Sequence, residues 1–160
     1  MKLLVLGGTV FLGRHLVQAA LERGHEVTLF NRGKHGPELF PDAETLRGDR
    51  DGDLQALRGR RWDAALDTSG NLPGQVWASA ELLADAVEHY TLVSTLAVYR
   101  EFPRVAGLDE GAPLHTEPAG AGPPSPETAG LQKAACERAA GAAMPGRVLV
   151  VRGGLLARPP

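Results

Sequence analysis

A chain of 160 residues with one cysteine, a formal net charge of −2 and charges of mixed sign can bury one good core and is most simply one domain. It cannot close an internal disulfide, it lacks the basic balance of a dedicated nucleic-acid binder, and it has no apolar stretch long enough to span a membrane. The expected setting is a reducing, cytoplasmic one, with Lys2 and the apolar residues after it opening a folded unit and not a signal peptide.

Leu3 to Leu6 is a continuous apolar run of the kind found in a parallel strand covered on both faces. It enters a turn containing Gly7 and Gly8, and from Leu12 the apolar positions take helical spacing (Leu12, Leu16, Ala19, Ala20) until Gly24, where the helix is expected to stop. Val27, Leu29 and Phe30 begin a second strand and complete a βαβ unit. Gly7, Gly8 and Gly13 supply backbone that turns sharply, approaches a ligand closely and lets the helix pack on the strand. The first amides of that helix and the positive end of its dipole then face an anion. The expected ligand is the pyrophosphate of a dinucleotide. One position departs from the glycine spacing: GxxGxxG puts glycines at 7, 10 and 13, and position 10 is Val10.

Ala43 to Leu46 reads as a weak third strand, Asp51 to Leu57 as a short helix, and Ala64 to Leu66 as a strand ending in Asp67, Thr68, Ser69 and Gly70. Val76 to Glu88 reads as a helix and Tyr90 to Ser94 as the next strand. Residues 101–126, rich in Gly and Pro, are too long for an idle connection and are expected to lie over the binding crevice. Ser125 as cap and Pro126 at the first helical position start a helix that runs to about Ala143, and Val148 to Val151 is the last strand. The alternation predicts an α/β fold: a doubly wound parallel sheet with helices on both faces and a ligand crevice at the strand carboxyl ends.

The residues after the second strand bear on cofactor choice. An acidic group there would hydrogen-bond the adenosine ribose and repel a 2′-phosphate, whereas Asn31 is neutral and Arg32 offers a guanidinium fork suited to phosphate. NADP is expected over NAD. No metal site is expected. Asp49, Asp51 and Asp53 imitate the opening of a calcium loop, but its glycine and its last acid are replaced by Leu54 and Arg60, and the five histidines do not fall at zinc spacings.

VLGGTVFLGRHL at 5–16, NRG at 31–33, GDR at 48–50, VSTLAVY at 93–99 and VVRGGLL at 150–156 stand in the order seen in the extended and atypical short-chain dehydrogenase/reductases, the NAD-dependent epimerase/dehydratase group, which the chain resembles over nearly its whole length. The resemblance implies a Rossmann nucleotide domain, here residues 1–160, with most of the smaller C-terminal substrate domain absent. It implies cofactor contacts from Gly7, Gly8, Thr9, Phe11, Leu12, Gly13, Asn31, Arg32, Asp49, Thr68, Ser69, Ser94 and Lys133, with Asp49 accepting a hydrogen bond from the adenine amino group. In such proteins a Tyr and a Lys four residues apart share a helix face, the ammonium lowers the phenol pKa, and a Ser or Thr at the end of the fifth strand orients the substrate oxygen. Lys133 matches the Lys, and Thr95, with Ser94 beside it, matches the Ser/Thr. The Tyr position is Ala129, which has no proton to give, and Tyr99 is expected to pack behind the strand and not to replace it.

These residues leave two main function classes. One is an NADP-dependent reductase, epimerase or dehydratase lineage transferring hydride on a nucleotide sugar or another small alcohol or carbonyl compound; the other is a dinucleotide-binding sensor without turnover. RNA binding, known for plastid relatives with a similar GGT turn, is disfavoured by the acidic balance. A homodimer through the helix containing Lys133 and its neighbour at 76–88 is a further expectation that the resemblance carries.

Overall fold

The N-terminal apolar run becomes an inner strand of a parallel sheet, paired on both edges. A computed structural model describes residues 1–36, 38–117 and 125–154. Its strands are β1 (Lys2–Leu6), β2 (Glu26–Asn31), β3 (Glu44–Arg47), β4 (Ala64–Asp67), β5 (His89–Thr95) and β6 (Val148–Gly153), in the order β3-β2-β1-β4-β5-β6. Helix α1 (Phe11–Glu22) follows β1, α2 (Pro73–Leu83) follows β4, and α3 (Ala129–Ala143) precedes β6. This is the doubly wound topology that the alternation of patterns predicts.

Both faces of β1 are covered, so its residues need not alternate in polarity. Leu3 and Val5 join Val27 and Leu29 against Val17 and Ala20 of α1. Leu4 and Leu6 join Phe30, Tyr90 and Leu92 against Val76, Ala80 and Leu83 of α2, Cys136 and Ala140 of α3, and Met144 just after it. Complete burial of each such aliphatic side chain contributes on the order of 1.5 to 3 kcal/mol. α2 and α3 also pack on each other. The end of α1 is set by Gly24, whose φ of 73° is left-handed and whose amide donates to the Leu21 carbonyl. Among the described residues no helix is long and apolar enough to cross a membrane.

Several boundaries differ from the sequence expectation for physical reasons. Asp51 to Leu57 is a helix only at the 3-10 turn Gln55–Leu57, because Asp49 and Asp53 exchange both backbone hydrogen bonds across a tight turn at Gly52. The expected helix at 76–88 begins earlier, with Pro73 in the first turn, where its missing amide costs nothing. It also ends earlier, since the Ala86 carbonyl accepts from Trp62 and the Glu88 amide donates to Asp63 ahead of β4, while Val87 stays buried and prolongs the apolar pattern. α3 becomes regular at Ala129, three residues after Pro126; Ser125 still caps the preceding turn, its Oγ accepting from the Thr128 amide at 3.3 Å.

Where it is described, the 101–126 segment packs on the turn that follows β5. Leu108, Ala112 and Leu114 fold back onto Val98, Tyr99 and Ala134. Residues 118–124 of that segment, and Leu155 and Leu156 of the last sequence motif, fall outside the described residues.

Candidate functional site

The carboxyl ends of β1 to β4 open onto a cavity of about 340 Å³. Its wall takes Gly7, Thr9 and Val10 from the glycine turn, residues 30–35 from the end of β2, Gly48, Asp49 and Arg50 from beyond β3, and Ser69, Asn71, Leu72 and Gln75 from beyond β4. The strand order reverses between β1 and β4, and a crevice outside the strand ends at that point is where doubly wound sheets bind ligands. Thr9, Val10 and His35 also border a second groove of about 580 Å³, which continues past Phe11, Arg14 and His15 to Leu39 and Phe40.

Glycine is required in this turn by space as well as by conformation. Gly7 and Gly8 have φ of 104° and 89°. A Cβ on Gly7 would stand 2.7 Å from Thr68 Oγ1, and one on Gly13 would stand 2.9 Å from the Gly8 Cα. Val10 needs no glycine: its φ of −126° is extended, its carbonyl accepts from the Gly13 amide at 3.0 Å, and its side chain points to solvent. The left-handed conformation falls instead on Phe11, at φ 36°. Gly8, Leu12, Gly13 and Thr68 shape the turn from behind and border neither cavity, while Ser69 and Thr68 both donate to the Leu6 carbonyl at 3.1 Å and hold the end of β4 beneath it.

Beyond β2, the Asn31 side chain is occupied with the loop itself. Its Oδ1 accepts from the Gly33 amide at 2.8 Å and its Nδ2 donates to the Gly7 carbonyl at 3.4 Å. Arg32, Lys34 and His35 are exposed on the cavity rim, and among the described residues none of their side chains has a hydrogen bond or ion pair. Asp49 lines the opposite wall, its carboxylate accepting from the Asp51 amide at 3.1 Å.

The residues expected to carry catalysis lie at the ends of β5 and α3. Ala129 is the first residue of α3, one turn before Lys133. The Lys133 ammonium donates to the Gly70 carbonyl at 2.7 Å and the Val93 carbonyl at 2.9 Å, which joins β4, β5 and α3 and leaves one of its three N–H groups for a ligand. Burial holds its pKa below the ordinary lysine value. Thr95 accepts from the Ala97 amide at 3.3 Å and caps the 3-10 turn Leu96–Val98. Ser94 is turned inward, its Oγ bonded at 2.5 Å to Glu137, which in turn receives two hydrogen bonds from Arg152. Tyr99 is buried behind the strand and accepts from Arg152 at 2.9 Å, so its phenol is committed to that network. Among the described residues no cluster of His, Cys, Asp and Glu could hold a metal ion.

Sequence reasoning missed Lys34 and His35 on the rim and the buried pair Arg50 and Asp67 beneath the cavity. A signal for the pair was present in GDR at 48–50 and in Asp67 closing an otherwise apolar strand, but their contact across 17 residues is tertiary.

Residues 3–72, which contain the glycine turn and all of the residues lining the first cavity except Gln75, match the family model described as NAD dependent epimerase/dehydratase family. Over those residues the chain is similar to the NAD-dependent epimerase/dehydratase family. Among curated relatives, the chloroplast stem-loop binding protein of 41 kDa b from Arabidopsis thaliana is 32% identical over 127 residues, covering 69% of this chain and 33% of that protein. A 2-alkyl-3-oxoalkanoate reductase from Stenotrophomonas maltophilia (strain K279a) is 56% identical over 50 residues, 31% of this chain and 15% of the reductase. Among solved structures, a UDP-galactose 4-epimerase superposes with a TM-score of 0.75 at 24% identity over 95% of this chain and 55% of the epimerase. The enzyme WbmG of Bordetella bronchiseptica, in complex with NAD and UDP, does so with a TM-score of 0.75 at 17% identity, over 95% of this chain and 52% of the enzyme. At these identities the structural likeness is one of fold. The chain thus spans a third or less of those curated relatives and about half of those structures.

Proposed function

We propose that this chain is an NADP-preferring dinucleotide-binding Rossmann domain of the hydride-transferring lineage, acting in this form as a cofactor-binding module without efficient turnover. The observation that carries the reading is the glycine turn: a side chain at position 7 or 13 would collide with Thr68 or Gly8, so only glycine packs this closely on the protein behind it, and Gly7 itself lines the cavity where the strand order reverses. Asp49 and Ser69 would border the adenosine half, and Lys133 and Thr95 would face the nicotinamide half, where the bound cofactor supplies hydride chemistry. The preference for NADP rests on Arg32, whose guanidinium on the rim has no partner among the described residues, on Lys34 beside it, and on His35 where the two cavities meet.

The lack of efficient turnover rests on Ala129, which leaves Lys133 with no phenol to activate. In an intact reductase or epimerase of this lineage the substrate would be a nucleotide sugar or a small alcohol or carbonyl compound. The RNA reading suggested by the stem-loop binding relative is less favoured, because the cationic side chains Arg14, Arg32 and Lys34 rim two nucleotide-sized cavities on a chain of net charge −2.

Fluorescence titration with NADPH and NADH tests the reading. NADPH should bind more tightly by about 1.5 to 3 kcal/mol, the usual contribution of a charge-assisted hydrogen bond, and Arg32→Ala should erase the difference while leaving NADH binding in place. Equal affinities in the unmodified chain would remove the NADP assignment, and no binding of either would remove the dinucleotide reading.

A further inference from the structure

Arg50 lines the same cavity as Asp49, yet its guanidinium is spent on the protein itself. Its Nε donates to Ser79 Oγ at 3.1 Å, Nη1 to Asp67 Oδ1 at 2.7 Å and Ser69 Oγ at 3.4 Å, and Nη2 to Asp67 Oδ2 at 2.8 Å and the Gln75 carbonyl at 3.3 Å. A guanidinium has five N–H groups, and these bonds account for all of them. Arg50 therefore has none left for a phosphate or a ribose, in contrast to Arg32 of the same cavity, which has no partner among the described residues.

Its partners lie at a different wall of the cavity from the loop that carries Arg50. Asp67 ends β4, Ser69 follows it, and Gln75 and Ser79 are on the first turns of α2, whereas Arg50 itself continues the loop that carries Asp49. Gln75 reinforces the tie from the other direction, its Nε2 donating to Asp51 Oδ1 at 2.7 Å. Asp67 is fully buried, and besides Arg50 it accepts from the Ser69 amide at 3.0 Å and the Tyr90 hydroxyl at 2.7 Å. Removing one partner of such a pair strands a buried charge, which fixes the two walls relative to each other far more firmly than an exposed pair could.

We propose that Arg50 is a positioning residue for adenosine recognition: it locks the Asp49 loop to the β4 end and to α2, setting the width of the adenine side of the cavity without touching the ligand through a hydrogen bond. The proposal rests on the dinucleotide reading above. It differs from the role given to Arg32, because positioning acts on whatever carries adenosine and leaves the preference for a 2′-phosphate unchanged.

The test is a titration of NADPH, NADH, 5′-AMP and nicotinamide mononucleotide against the unmodified chain, Arg50→Lys, Ser79→Ala and Tyr90→Phe. Arg50→Lys keeps a cation against Asp67 but loses the planar fork. It should weaken NADPH, NADH and 5′-AMP by a common factor of about tenfold, with the NADPH to NADH ratio and the mononucleotide affinity unchanged. Ser79→Ala frees one donor and should give the same pattern more weakly, which keeps the test alive if the lysine variant does not fold. Tyr90→Phe loosens the same carboxylate from the side remote from the cavity and should lower the melting temperature with affinities intact. The proposal is overturned if Arg50→Lys and Ser79→Ala bind 5′-AMP as the unmodified chain does, or if Tyr90→Phe weakens 5′-AMP as much as they do, which would make the effect one of general stability. No dinucleotide binding by the unmodified chain would overturn the underlying reading and this proposal together; an unmodified NADPH preference with unaltered Arg50 variants overturns this proposal alone.

Discussion

Tyr90 shows what a single buried phenol does for this protein. It has no exposure to water, and its hydroxyl donates to Asp67, which already receives two hydrogen bonds from Arg50. Burial raises its pKa well above the ordinary phenol value, and the neighbouring Asp67 carboxylate adds to the rise. A group whose pKa is raised on folding stabilises the protein fully below its unfolded value, near 10 for tyrosine, and that stabilisation is lost as pH climbs through the folded value. Urea unfolding should therefore show Tyr90→Phe less stable by about 1 to 2 kcal/mol at neutral pH, with the difference between variant and parent shrinking above roughly pH 10. A difference that stays constant into strong alkali would mean that the phenol ionises no later in the folded chain than in the unfolded one. Nothing in the local sequence HYTLV distinguishes Tyr90 from any apolar strand residue, because the partner that gives it a role lies 23 positions earlier. Arg32 was legible because its relevance depends only on following a strand, whereas Arg50 and Asp67 were not, because each acquires meaning only from the other.

At the level of elements, the contact between α3 and the end of β5 positions the candidate catalytic end. Gly130 lies against the Ala97 backbone so closely that a Cβ there would stand 2.1 Å from the Ala97 carbonyl oxygen. Neither partner is a flexible side chain, so Gly130→Ala must separate the start of α3 from the 3-10 turn that Thr95 caps. The expected loss is about 1 to 3 kcal/mol, the usual range for overpacking, even though alanine is the better helix former. Chemical denaturation checks this, and an increase in stability would show that helix propensity outweighs the collision. The existence of each helix and strand was readable from apolar period, since α1, β1 and β2 alternate between 3.6-residue spacing and continuous runs. Their ends were less so. Val87 keeps the apolar period after α2 has stopped, and only the backbone hydrogen bonds of Ala86 and Glu88 to residues 62 and 63 show why it stops there.

For the molecule as a whole, the cavity beside the glycine turn is walled by β1 to β4 and their loops, while the residue one turn before Lys133 has no proton to give. The cavity beside the glycine turn draws on residues beyond all of β1 to β4, but the helix that should supply a phenol begins with Ala129. Positioned proton transfer is worth roughly 10² to 10⁴ in rate, so the chain should bind a dinucleotide and yet reduce carbonyl compounds at a rate lower by about that factor than an enzyme with the intact pair. Thr95 cannot restore it, because an aliphatic hydroxyl is a far weaker acid than a phenol beside an ammonium, and its oxygen already caps a turn. Ala129→Tyr restores the phenol one helical turn from Lys133, whose ammonium is held in place by the Gly70 and Val93 carbonyls. If the two share the crevice, the new phenol should titrate below the reference value of about 10, and it should return toward that value when Lys133→Met removes the charge. The measurement is the ultraviolet absorbance difference between chains with and without Ala129→Tyr, taken once with Lys133 in place and once in the Lys133→Met background; Tyr90 and Tyr99 are common to each pair and cancel. Identical titration of the new phenol with and without Lys133 would mean that positions 129 and 133 do not act on one another, and that the family's acid is not missing from this helix but belongs elsewhere in the fold.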